Sequence, residues 1–135
     1  MCSSDLHHIP RLLEQAQAAQ VIIWAKFQNL YPKLRKFQSP TIIINNRFKT
    51  CGGVCKADAR VIEYSAEMYF YNQEEYYKNI MPHENAHQVE WDLLGTSGHG
   101  PAWKEIMRAY GCEPTRLHDM VNPMQVKRIQ ARKKK

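Results

Sequence analysis

From Pro10 to about Leu30, apolar residues recur at three- and four-residue steps: Leu12, Leu13, Ala16, Ala19, Ile23, Phe27 and Leu30. That period predicts a long amphipathic helix, with Pro10 in its first turn, where a missing N–H leaves no hydrogen bond unmade. Pro32 and Pro40 then bracket a loop. The pattern changes at Thr41–Asn45, TIIIN, whose β-branched run predicts a strand. Arg47–Thr50 with Val54–Lys56 predict a second strand, and VIEYS, Val61–Ser65, a third. Asn45-Asn46 and Gly52-Gly53 are turn signals, so these strands predict a small antiparallel sheet. A helical period returns from about Glu74, through Tyr76, Tyr77, Ile80, Met81, His87, Val89, Trp91 and Leu94. Pro82 falls inside it and predicts a kink or restart just before two histidines. Gly95, Gly98, Gly100 and Pro101 break that helix, and a shorter one is predicted over Ala102–Tyr110 with Gly111 as its C-terminal cap. Beyond Pro114 the pattern fades, leaving only an unanchored short helix through Gln125 to Arg132.

Size and charge narrow this picture. The 135 residues suit one domain, and no internal repeat or low-complexity linker divides them. Three Trp, seven Tyr and four Phe supply enough bulk for a single core. No apolar run approaches the ~20 residues a membrane span needs. The start MCSSDLHHIP lacks the continuous apolar stretch of a signal peptide, so the expected location is cytoplasmic. The net charge of +6 sits in one place. Residues 126–135, VKRIQARKKK, hold Lys127, Arg128, Arg132, Lys133, Lys134 and Lys135 with no acid, and the other 13 basic residues balance the 13 acidic ones. The chain therefore divides into a body, 1–125, and a basic C-terminal tail, 126–135. Such an arm can hold nucleic acid through phosphate contacts and counterion release; the bland alternative is a solvated end. Of the four cysteines, only Cys51 and Cys55 are close, in CGGVC, and no second pair follows at zinc-ribbon spacing. Structural thiols are expected, a zinc site at that glycine turn being the lesser reading.

The chemistry concentrates in residues 82–103, PHENAHQVEWDLLGTSGHGPAW. His83 and His87 are four residues apart, so on a helix both imidazoles project from one face and can reach one metal ion. Glu84 lies roughly 100° around the helix from His83, near enough to take a proton from a metal-activated water without being a ligand. This HExxH pattern is that of a metal-dependent hydrolase. A catalytic zinc needs three protein ligands and an open position, and one helix face cannot supply the third. The chain must reverse, which Gly95-Thr96-Ser97-Gly98 can do, returning His99 at the start of the next helix. Glu90 and Asp92 are candidate carboxylate ligands or outer partners, and Glu90, seven residues after His83 and three after His87, is the competing third donor. The bland reading is three histidines satisfied by ordinary hydrogen bonds. Arg116 and His118 are candidates for oxyanion stabilisation or an outer contact, with a structural role the stronger reading for both, and Tyr110 is placed equally to donate to the transition state or to pack. Trp91 and Trp103 are expected as core anchors of the two helices, and His7 and His8 as exposed.

The run Ile80–Gly111, IMPHENAHQVEWDLLGTSGHGPAWKEIMRAYG, resembles the SprT-like zinc metallopeptidases, which include bacterial SprT proteins and eukaryotic Spartan proteases. After HExxH that family carries a Gly-His-Gly-Pro-like segment and an aromatic residue, here Gly98-His99-Gly100-Pro101 and Trp103. The likeness extends back through CGGVC to VIEYS and weakly forward through TRLHDM, about residues 48 to 120. It implies His83, His87 and His99 as ligands of one zinc ion and Glu84 as catalytic acid/base. It implies an α+β fold in which a long N-terminal helix and a small sheet precede the HExxH helix and a second helix bearing the third ligand. It also implies protein substrates associated with or crosslinked to DNA, a DNA-repair role, and the expected form is a cytoplasmic monomer. Two departures stand out. Asn85 occupies a usually apolar position, and the chain reaches Lys135 without the cysteine-pair zinc ribbon of bacterial SprT proteins, leaving the basic tail as the candidate DNA contact. The competing function is a catalytically silent, zinc-stabilised nucleic-acid-binding module; a small-amide hydrolase is a third.

Overall fold

A computed structural model describes the backbone of residues 4–8 and residues 9–45 and 52–114 in full. Arg47–Thr50, Cys51, Arg116, His118, the helix through Gln125 to Arg132 and the basic tail lie outside the described residues, as do the side chains of His7 and His8. Helix α1 spans Ser4–Leu30. It begins six residues before Pro10, so that proline sits inside the helix and not in its first turn. The missing N–H then deprives only one carbonyl near the helix start of its donor. Leu12, Ala16, Ile23, Trp24 and Phe27 form its buried stripe. A 3-10 turn, Pro32–Lys36, follows and buries Leu34.

Strands β1 (Thr41–Asn45), β2 (Gly53–Lys56) and β3 (Val61–Ser65) form one sheet in the order β1-β3-β2. The sheet is mixed, not antiparallel throughout. β2 and β3 form an antiparallel pair across the Ala57–Arg60 turn, whereas β1 lies parallel to β3. Burial accounts for the strand order. β3 is buried along Ile62–Ser65 and takes the centre, while β1 buries only Ile42 and Ile44 and takes an edge.

After β3 a short helix absent from the sequence pattern begins. In α2 (Ala66–Tyr71) the Ser65 hydroxyl accepts from the Met68 N–H at 3.2 Å, a standard N-terminal cap. One turn, α3 (Gln73–Glu75), leads into a π turn, Tyr76–Ile80, and then α4 (Met81–Leu94). Where Pro82 predicts a kink or restart, the backbone stays helical and passes through this π turn, whose form is explicable. Pro82 cannot donate to Lys78 four residues back, so Met81 N–H reaches Tyr76 O, and the Cys112 thiol takes the Lys78 carbonyl at 3.1 Å. α4 ends at Gly95 (φ 73°) and α5 (Pro101–Tyr110) at Gly111 (φ 106°), both in the left-handed region that favours glycine.

All ten residues from Met81 to Glu90 are buried, which makes α4 the central helix. Its polar side chains therefore need partners. Asn85, fully buried, forms a reciprocal amide pair with Gln20 of α1: Gln20 Nε2 donates to Asn85 Oδ1 (2.8 Å) and Asn85 Nδ2 to Gln20 Oε1 (2.9 Å). Asn85 Nδ2 also donates to Met81 O, and Gln20 Nε2 to Ser39 Oγ, both at 2.9 Å. The amide at the usually apolar position is thus satisfied, and it links α1 to α4. Asn85→Leu should destabilise the fold by about 1–3 kcal/mol, because it strands the Gln20 amide in the core. A double variant that also carries Gln20→Met should recover part of that loss, since both polar groups are then gone. Urea midpoints measure both, and simply additive losses would contradict the coupling.

Candidate metal centre

His83 and His87 lie one turn apart on α4, and the Gly95–Gly100 loop returns His99 just ahead of α5. Their ring nitrogens converge. His99 Nε2 lies 3.0 Å from His83 Nε2 and 3.2 Å from His87 Nε2. Among the described residues these three form the one His, Cys, Asp or Glu group able to hold a metal ion. Two ligand nitrogens of a tetrahedral zinc site, each near 2.05 Å from the ion, stand about 3.3 Å apart. The separations here fall just inside that value.

Protonation fits the same use. Burial first, and the neighbouring His99 second, lower the His87 pKa to about 4, so its imidazole is held neutral. Neutral imidazole is the form that binds metal. Trp103, fully buried, lies against all three rings: stacked on His87 at 20° with centroids 5.6 Å apart, edge-on to His83 (4.7 Å) and His99 (4.8 Å). Its Nε1–H donates to the His83 carbonyl at 3.2 Å, which fixes the ring under the cluster. Trp103 is thus the expected core anchor and also the floor of the site. Trp91 is not its counterpart, being 38% exposed at the far end of α4.

Glu84 stands beside the cluster and outside it, with Oε2 3.8 Å from His83 Nε2. Burial pushes its carboxyl up to about 8, opposed by a hydrogen bond from the Cys55 backbone. A cation at the three nitrogens would act in the same direction as that hydrogen bond, favouring the carboxylate. The strand contact also explains CGGVC. A Cβ at Gly53 would meet Glu63 O and Tyr64 Cδ1 at 3.1 Å and Glu84 Cγ at 3.3 Å. Gly53, a turn signal in the sequence, is a strand residue whose missing side chain lets β2 close on Glu84. Cys55 itself is a free, half-buried thiol whose pKa burial raises to about 12, in line with a structural role.

The other candidates separate cleanly. Glu90 is not the third donor; its Oε2 accepts from Thr96 Oγ1 at 2.7 Å. Asp92 is a structural partner, gripped by Arg60 through Nη1–Oδ1 (2.6 Å) and Nη2–Oδ2 (3.0 Å), and bonded by Gln88 Nε2 at 3.1 Å. Tyr110 packs on Phe27 with centroids 4.7 Å apart and under the Lys26 amine, which puts it at the joint of α1 and α5. Gln20 and the Cys55 backbone were not singled out by local pattern, and Gly53 was singled out only as part of a turn. A glycine inside a strand pattern can also mark a close backbone approach, which is its role here.

The chain matches the SprT-like family over residues 22–123. It is similar to Protein SprT of Pseudomonas aeruginosa (strain LESB58), with 32% identity over 87 residues, 62% of this chain and 52% of that protein. Protein SprT of Pseudomonas putida (strain GB-1) is 32% identical over 88 residues, 63% of this chain and 53% of that protein. The chain spans about half the length of the curated relatives it matches. No solved structure matches it.

Proposed function

This chain belongs to the SprT-like family, and on that premise we propose that it is a zinc-dependent endopeptidase. The observation that carries the reading is the convergence of three imidazole nitrogens with a carboxyl beside them but outside their set. His83, His87 and His99 would hold the ion, which when bound supplies a Lewis acid that polarises a peptide carbonyl and acidifies the attacking water. Glu84 acts as the base. Its carboxylate takes a proton from that water as the C–O bond forms, then delivers it to the amine nitrogen as the C–N bond breaks. The Cys55 N–H holds the carboxylate in place through both transfers. The test is incubation of the zinc-loaded chain with an unfolded protein, beside Glu84→Gln; new peptide N-termini should appear with the wild type alone. A folded, zinc-loaded wild type that never cuts would instead fit the silent binding module.

The substrates we propose are proteins associated with or crosslinked to DNA, as the family resemblance implies. The basic tail supports this, since six positive charges on phosphates would release about as many counterions. Truncation after Gln125 should then lessen the slope of log affinity for duplex DNA against log salt by up to about 5. An unchanged slope would remove the tail from the reading. Among the described residues, no helix is long and apolar enough to cross a membrane.

A further inference from the structure

Two buried polar atoms of α4 have no hydrogen-bond partner among the described residues, and their residues lie three apart: Nδ1 of His87 and Oε1 of Glu90. Side chains at i and i+3 of a helix are neighbours, with Cβ atoms about 5–6 Å apart, so side-chain rotation alone can bring these atoms together. Their chemistry is complementary. An imidazole whose Nε2 faces a metal carries its proton on Nδ1, which makes Nδ1 a donor, while a carboxylate oxygen only accepts. Metal-binding histidines nearly always give that second N–H to a carboxylate, carbonyl or water, and the partner sets ring orientation and ligand basicity. The other oxygen of Glu90 already accepts from Thr96, in the loop that delivers His99.

We propose that Glu90 is a positioning residue of the metal centre. Its carboxylate accepts the Nδ1–H of His87 when the cluster holds zinc, and through Thr96 it ties that ring to the loop bearing His99. The inference rests on reading the cluster as a zinc centre, and it assigns an outer role to the residue that local spacing offers as a rival ligand. One carboxylate thereby links a ligand on α4 to the loop that carries another.

Zinc affinity of the purified full chain, measured by competition with a fluorescent chelator, tests this without reference to peptidase activity. Glu90→Ala should bind zinc roughly 10–100-fold more weakly than wild type. Glu90→Gln, which keeps an acceptor oxygen for Nδ1–H, should lose less than Glu90→Ala. Wild-type affinity in a folded Glu90→Ala overturns the proposal alone, whereas a wild type that takes up no zinc overturns the zinc reading and this inference with it. If Glu90→Ala does not fold, imidazole nitrogen NMR of the zinc-loaded wild type decides. A His87 Nδ1–H slow to exchange and shifted as a carboxylate-bound proton supports the pairing, and one exchanging as freely as an exposed imidazole overturns it.

Discussion

Glu84→Gln should cut peptide-bond hydrolysis by roughly 10²–10⁴-fold while leaving zinc bound. The size follows from the loss of a positioned proton acceptor, and the retention of zinc from geometry. Glu84 is outside the three-nitrogen set, and its nearest approach to it is 3.8 Å. The amide has nearly the carboxylate's shape, so its oxygen can still accept from the Cys55 N–H. Stability supplies an internal control. The Glu84 carboxyl is buried and its ionisation is penalised there, so an uncharged replacement should melt no lower than the wild type without metal. Lost cleavage in a variant that binds zinc and melts normally therefore isolates the proton transfer. Cleavage within tenfold of wild type would mean that another group removes the proton.

Different parts of this centre were legible to different degrees, and the reason is the range of the interaction involved. His83, His87 and Glu84 depend on helical period alone, which local spacing reports directly. β1 and β3 were legible for a similar reason, since β-branched runs and turn residues act over a few positions. Sheet direction was not. Turn signals suggested hairpins, but β3 is buried and takes both partners, and nothing in TIIIN or VIEYS says which neighbour runs parallel. The partner of Asn85 lies 65 residues away in α1, a separation that local pattern does not report. Trp91 and Trp103 are alike in sequence and differ only in what packs around them. Gly53 resembled a turn because a glycine marks absence of a side chain, and only the neighbouring strand and Glu84 reveal what that absence admits.

His99→Ala should remove most of the metal affinity of the centre. It removes one of three convergent nitrogens, and no described side chain is placed to substitute. The Glu90 carboxylate accepts from Thr96, and Asp92 is held by Arg60. The effect should also be visible as stability. A ligand present at 100 to 1,000 times its dissociation constant stabilises a native state by about 2.7–4.1 kcal/mol. For a domain of this size that corresponds to a rise in Tm of roughly 10 °C. Zinc should therefore raise the wild-type Tm by about that amount, a strong chelator should reverse it, and His99→Ala should show little of either response. The zinc-free proteins should melt close together, because His99 lies on a loop ahead of α5 and the core beneath it centres on Trp103, which remains. A His99→Ala protein that binds zinc as tightly as wild type would move the third ligand elsewhere. The buried carboxylate of Glu90 would then be the first place to look, and its role would change from holding a ligand to being one.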